Sequence, residues 1–181
     1  MSSGGVHYED PFVDPPEDRS PVRRFRGRLA LPVTIWTSGR TGEETGLTVS
    51  SLMVADGEPP ILTGLVAETT DLYASINDTG VFVVHVLSDE DGRLAEIFAG
   101  MRPNPGGPFA GLKYVDSEWG PVLESLPTRA FCRLRDISDA GYQKLIQASV
   151  QKFDLDELDS PAIYFRGRFR RLAPDVRRPT S

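Results

Sequence analysis

Along this chain apolar and polar positions alternate more often than they recur at helical spacing, which predicts a β-rich protein. Ser20-Pro21 has the form of a helix start, with Ser as N-cap and Pro as first helical residue. The expected helix runs through VRRFRGRLAL until Pro32 stops it, and the β-branched run VTIWTS follows as a strand. TGLTVSSLMV, residues 45–54, reads as the next strand, although the adjacent hydroxyls of Ser50 and Ser51 break its alternation. EPPILTGLVA enters extended behind Pro59-Pro60 and continues as a buried strand. Thr69, Thr70 or Asp71 can cap a short helix, DLYASIND, which Gly80 ends. VFVVHVL is the clearest strand of the chain. Ser88 and Asp91 have capping-box spacing ahead of the helix EDGRLAEIFAG. MRPNPGGPFAG, dominated by Pro and Gly, is a loop, and RAFCRLRDI, KLIQASVQKFDL and AIYFRGRFRRL are three more strands.

Six or seven strands with two or three short helices lack the regular β-α-β alternation of a parallel sheet. They imply a mainly β fold, a barrel or sandwich with helical additions. Residues 1–20, rich in Pro, Asp, Glu and Gly, read as an extended arm, and residues 173–181 as a tail. The folded unit is expected over 21–172.

Composition narrows the class without naming a function. A hydrophobic fraction of 39% in 181 residues is enough for one core, and no apolar run approaches the ~20 residues that span a bilayer. A formal charge of −6 argues against a nucleic-acid-binding protein. The N-terminus has no basic-then-apolar signal pattern, and a single cysteine, Cys132, fits a reducing, cytoplasmic setting.

Most self-sufficient chemistries lack their residues. There is no GxSxG, H-E-x-x-H or C-x-x-C, so neither a serine triad nor a common zinc site is expected. The two histidines, His7 and His85, lie in the arm and in a strand. NPGGPFAG has neither the Walker ending nor the dinucleotide glycine spacing. With no catalytic side chain and no metal ligand set, the chain is a binding module or an enzyme whose reactivity belongs to an organic cofactor.

Eight landmarks in order favour the second. FRGRLALPVTIWTS, GLTVSSL, EPPILTGLVA, TGVFVVHVL, LAEIFAG, GPVLESL, RAFCRL and YFRGRFRRL together resemble the flavin reductase-like family, the FMN-binding split-barrel reductases. The resemblance implies a split β-barrel with a few short helices, normally a homodimer. FMN, or alternatively FAD, would lie in a groove at the subunit interface. It further implies that flavin is contacted by Leu47, Thr48, Val49, Ser50 and Ser51, and by Leu65 and the turn Ala67, Glu68, Thr69 and Thr70. Phe98 and Gln143 complete the implied set. NAD(P)H would be the hydride donor, and a monooxygenase would be a partner receiving reduced flavin. Neither nucleic acid nor membrane is expected.

Three departures from the family pattern stand out. Leu72 stands where the phosphate turn often has Thr, and His85 where a strand Asn is usual. In GYQKLIQASV, Tyr142 and Gln143 replace the Asp-His of the family's GDHxIxxGxV. That His commonly lies near the nicotinamide, so its loss leaves open a tightly bound FMN or deazaflavin serving another donor. A non-catalytic ligand- or partner-binding barrel is the reading from a different class.

Overall fold

In the computed structural model, residues 20–172 are described; the expected arm, apart from Ser20, and the tail lie outside them. Seven strands form the main sheet in the order β3-β2-β6-β9-β10-β5-β4. They are β2 (Thr34–Ser38), β3 (Thr45–Val49), β4 (Met53–Ala55), β5 (Ile61–Val66), β6 (Val81–Val86), β9 (Arg129–Ala140) and β10 (Gln143–Asp154). All neighbouring pairs run antiparallel. β1 (Leu31–Pro32), β11 (Ile163–Phe165) and β12 (Arg168–Arg170) make a small second sheet, and β7 (Tyr114–Ser117) with β8 (Gly120–Leu123) a hairpin. The architecture is mainly β and split-barrel-like, as expected.

The main sheet is packed on both sides. Trp36, Val49, Leu62, Val66, Phe82 and Ile146 belong to one core, closed by Leu72 and Ile76 of α2 (Asp71–Thr79). Val33, Ile35, Leu87 and Leu123 belong to the other, with Ala95 and Phe98 of α3 (Gly92–Phe98). The pleat sends Ile35 to one side and Trp36 to the other, so every residue of β2 is buried. Close packing leaves no room at Gly64: a Cβ there would stand 2.6 Å from the Trp36 ring.

Four expectations are corrected. TGLTVSSLMV is not one strand: β3 ends at Val49 and β4 begins at Met53, at opposite edges of the sheet. The first helix, α1 (Pro21–Arg26), stops at Gly27 rather than Pro32. Pro32 sits instead in β1, at a sheet edge, where the missing N–H costs no ladder bond. AIYFRGRFRRL folds back on itself, because Arg166 and Gly167 take φ of 52° and 77° and form a two-residue hairpin turn. The β7–β8 hairpin has no counterpart in the sequence-based element list.

The helix signals hold. Thr70 caps α2, accepting from Tyr73 N–H at 3.2 Å, and Gly80 ends it at φ 70°. Asp91 accepts from both the backbone and the hydroxyl of Ser88, ahead of a 3₁₀ turn that leads into α3. No helix among the described residues is long and apolar enough to cross a membrane.

Candidate functional site

Ser50, Ser51 and Leu52 carry the chain from one edge of the main sheet to the other. Met53 pairs with Thr63 and Ala55 with Ile61, so Ser51 occupies the next register position, opposite Leu65. There its side chain replaces a strand backbone. Ser51 Oγ donates to Leu65 O at 3.1 Å and accepts from Leu65 N at 2.8 Å. The edge of β5 would otherwise present both groups unpaired.

Beyond Val66 the chain enters the turn Ala67–Thr70. Thr70 Oγ1 donates to Ala67 O at 2.8 Å while capping α2, so this hydroxyl is committed within the turn. Lys144 of β10 pairs with Val66 of β5, which puts Gln143 at the same end of the sheet as Ala67. Lys144 Nζ lies 3.3 Å from Glu68 and 2.7 Å from Asp139. The hydrogen bond from Lys144 holds the Asp139 carboxyl below the usual carboxylate range. Nothing in the linear pattern marks Lys144 except its adjacency to Gln143.

Ser51, Leu65, Ala67, Glu68, Thr69, Thr70 and Gln143 are thus gathered around one end of β5. Of the other expected residues, Ser50 lies beside Ser51 at the crossing, and the rest point elsewhere. Leu47 and Val49 pack into the Trp36 core. Thr48 donates to Ala95 O of α3 at 2.7 Å, and Phe98 is buried edge-to-face against Phe109 at 5.2 Å. Among the described residues, the hydroxyls of Ser50 and Thr69 have no protein partner, whereas those of Thr48, Ser51 and Thr70 do. Ser50 is half-buried at the crossing and Thr69 is exposed one residue before the α2 cap.

The buried titratable groups serve structure. His85 places Nδ1 3.2 Å from Ile35 O, and its Nε2 accepts from Leu123 N at 3.1 Å. This assigns the proton to Nδ1, and burial lowers the imidazole pKa to about 4. Burial pushes the Cys132 thiol up to about 12. Neither group is ready to act as an acid, base or nucleophile at neutral pH.

The unpartnered hydroxyls of Ser50 and Thr69 and the N–H groups of the first turn of α2 are donors of the kind a polyol-phosphate needs. The flavin reductase like domain model matches residues 26–173. The reductase component of 4-hydroxyphenylacetate 3-monooxygenase from Thermus thermophilus is 30% identical over 145 residues, covering 80% of this chain and 91% of that protein. The reductase subunit HsaB of a flavin-dependent monooxygenase from Rhodococcus jostii is 27% identical, covering 84% and 79%. Among solved structures, the NADH:FAD oxidoreductase SgcE6 of Streptomyces globisporus, in complex with NAD and FAD fragments, superposes with a TM-score of 0.78. It is 23% identical and covers 91% of this chain and 98% of that one, a likeness of fold. With its landmarks, its sheet and a family model spanning most of its length in accord, the chain belongs to the flavin reductase-like family.

Proposed function

We propose that the protein is a flavin reductase of the reductase-component type, an NAD(P)H:flavin oxidoreductase working in the cytoplasm. The observation that carries this reading is the convergence of the Ser50–Ser51 crossing, the Ala67–Thr70 turn and Gln143 at one end of β5. Ser50 and Thr69 would hold the ribityl-phosphate of FMN, or of FAD as the alternative. Ser51 and Thr70 would act one step back, by fixing the backbone that carries those two hydroxyls. Bound flavin would supply a ring nitrogen able to accept a hydride from a nicotinamide. The protein's share is alignment of the two rings and exclusion of water, for which no proton-transferring side chain is required.

A homodimer would complete the groove. Leu65 and Leu145 face each other across β5 and β10 and are only half-buried, and Met53 and Val54 on the edge strand are 69% and 54% exposed. Such a surface fits a symmetric partner. The named relatives are reductase components of monooxygenases, which supports a monooxygenase as the protein to which reduced flavin passes.

The absorbance spectrum of the purified protein with added FMN or FAD, followed by anaerobic NADH or NADPH, tests the reading. Bleaching of the flavin band supports it; no bleaching with either nucleotide rejects it. Gln143, in place of the family His, favours a second reading: a tightly held FMN or deazaflavin that serves another donor. A yellow protein inert to both nicotinamides would select that alternative.

A further inference from the structure

The crossing and the turn that would hold the flavin carry no positive charge of their own. Residues 41–92 contain ten acidic residues and neither lysine nor arginine, and both the Ser50–Leu52 crossing and the Ala67–Thr70 turn fall within them. One of those carboxylates, Glu68, stands directly before Thr69, whose hydroxyl has no protein partner. Asp71, the other carboxylate of this region, opens α2 and is exposed.

Positive charge reaches the turn from another strand. The register sets Lys144 of β10 between Val66 of β5 and Asp139 of β9. Val66 on that rung and Ile146 two residues along belong to the Trp36 core, so Lys144 continues the inward row at the end of the sheet. Its side chain is only 21% exposed, and its ammonium meets Glu68 at 3.3 Å and Asp139 at 2.7 Å. Hydrogen bonding to Asp139, the larger effect, and to Glu68 raises its pKa above the ordinary lysine value, which keeps it charged at neutral pH. Among the described residues, Glu68 has no other cationic partner.

A helix N-terminus attracts whatever anion stands nearest. At α2 the competitors are a phosphate arriving from solution and the Glu68 carboxylate, two residues before the Thr70 cap. Left unpaired, Glu68 can turn toward the same N–H groups, and it repels a phosphate even without touching them. Pairing with Lys144 removes both effects, because it draws the carboxylate to β10 and offsets its charge. As a source of stability so open a pair is worth little, and its consequence lies with what binds beside it.

We propose that Lys144 is a positioning residue for the flavin's phosphate: it holds the Glu68 carboxylate against β10 and so keeps Thr69 and the opening of α2 free for that group. This role rests on the reading in which Thr69 and the first turn of α2 receive the phosphate.

Fluorescence titrations of the full-length protein with FMN and with riboflavin, which lacks the phosphate, test it. The unaltered protein should bind FMN more tightly than riboflavin. Lys144→Met should weaken FMN binding by about three- to tenfold while leaving riboflavin binding within about twofold. Adding Glu68→Gln to Lys144→Met should restore FMN affinity, because the carboxylate that Lys144 restrained is gone. A double variant as weak as Lys144→Met would overturn the proposal, since Lys144 would then touch the phosphate itself. Equal losses for FMN and riboflavin would also overturn it, as the mark of a loosened hairpin. If the unaltered protein binds FMN no better than riboflavin, or binds neither, the phosphate does not lie in the turn, and the underlying reading falls with the proposal.

Discussion

Ser51 and Leu65 are joined twice through a single hydroxyl, which donates to the carbonyl of Leu65 at 3.1 Å and accepts from its amide at 2.8 Å. One side chain thereby extends the β4–β5 ladder by one rung at the point where the sheet crosses from edge to edge.

The two adjacent serines should therefore respond differently to the same substitution. Ser51→Ala leaves a half-buried amide and carbonyl unpaired and should cost about 1–3 kcal/mol in urea unfolding. Ser50→Ala removes a hydroxyl with no protein partner and should change stability by under about 0.5 kcal/mol. On the proposed reading it nonetheless weakens FMN binding, measurable by fluorescence titration. Equal stability loss in both variants would contradict the structural difference between them.

His85 sets a pH dependence of stability. Its imidazole is neutral in the fold, and burial lowers its pKa from the ordinary 6.5 to about 4. The unfolded chain therefore takes up the proton first as pH falls. The stabilisation is complete above pH 6.5 and is lost between 6.5 and 4, by up to roughly 3 kcal/mol. Urea midpoints at pH 7.5 and pH 5 should differ accordingly, and the part due to this group should vanish in His85→Gln. His85→Leu, which also removes the acceptor of Leu123 N, should in addition loosen the β7–β8 hairpin.

Gly64→Ala should be among the most damaging small substitutions in the chain. The added methyl would lie 2.6 Å from the ring of Trp36, which is fully buried and stacked on Phe82 at 4.9 Å. An overpacked core of this kind costs about 1–3 kcal/mol. Near-ultraviolet circular dichroism should register the displaced indole. Gly80, by contrast, has open space around the position of a Cβ, and its substitution is penalised only through its φ of 70°.

Gln143→His should raise the rate of anaerobic flavin reduction by NADH at saturating flavin, by roughly tenfold if ring alignment is what the wild-type residue lacks. Stopped-flow absorbance at the flavin band measures this directly. An unchanged rate would mean that the donor does not approach this end of β5.

Most of the β pattern was legible in the residues because each strand announces itself locally. The β-branched run VTIWTS, the apolar run at 81–86 and the Thr70–Gly80 bracket around α2 need no tertiary context. What the linear pattern does not contain is partnership. TGLTVSSLMV has continuous β propensity, and only the pairing of its two halves with β2 and with β5 reveals the break at Ser50–Leu52. AIYFRGRFRRL looks like one strand until Arg166 adopts a positive φ, which its side chain does not advertise. At the candidate site the expected segments were the right ones to inspect, but hydroxyls alike in sequence separate in space. Ser51, Thr70 and Thr48 are spent on Leu65, Ala67 and Ala95, and only Ser50 and Thr69 are left over for a ligand.

The crossing at Ser50–Leu52 also limits the shapes the sheet can take. From Val49 to Met53 there are four Cα steps, a leash of at most ~15 Å. The two edges of a flat seven-stranded sheet would stand about 29 Å apart. Once β3 has paired with β2 and β4 with β5, a flat sheet is out of reach. Its curvature is then enforced by chain length, before any side chain packs inside it.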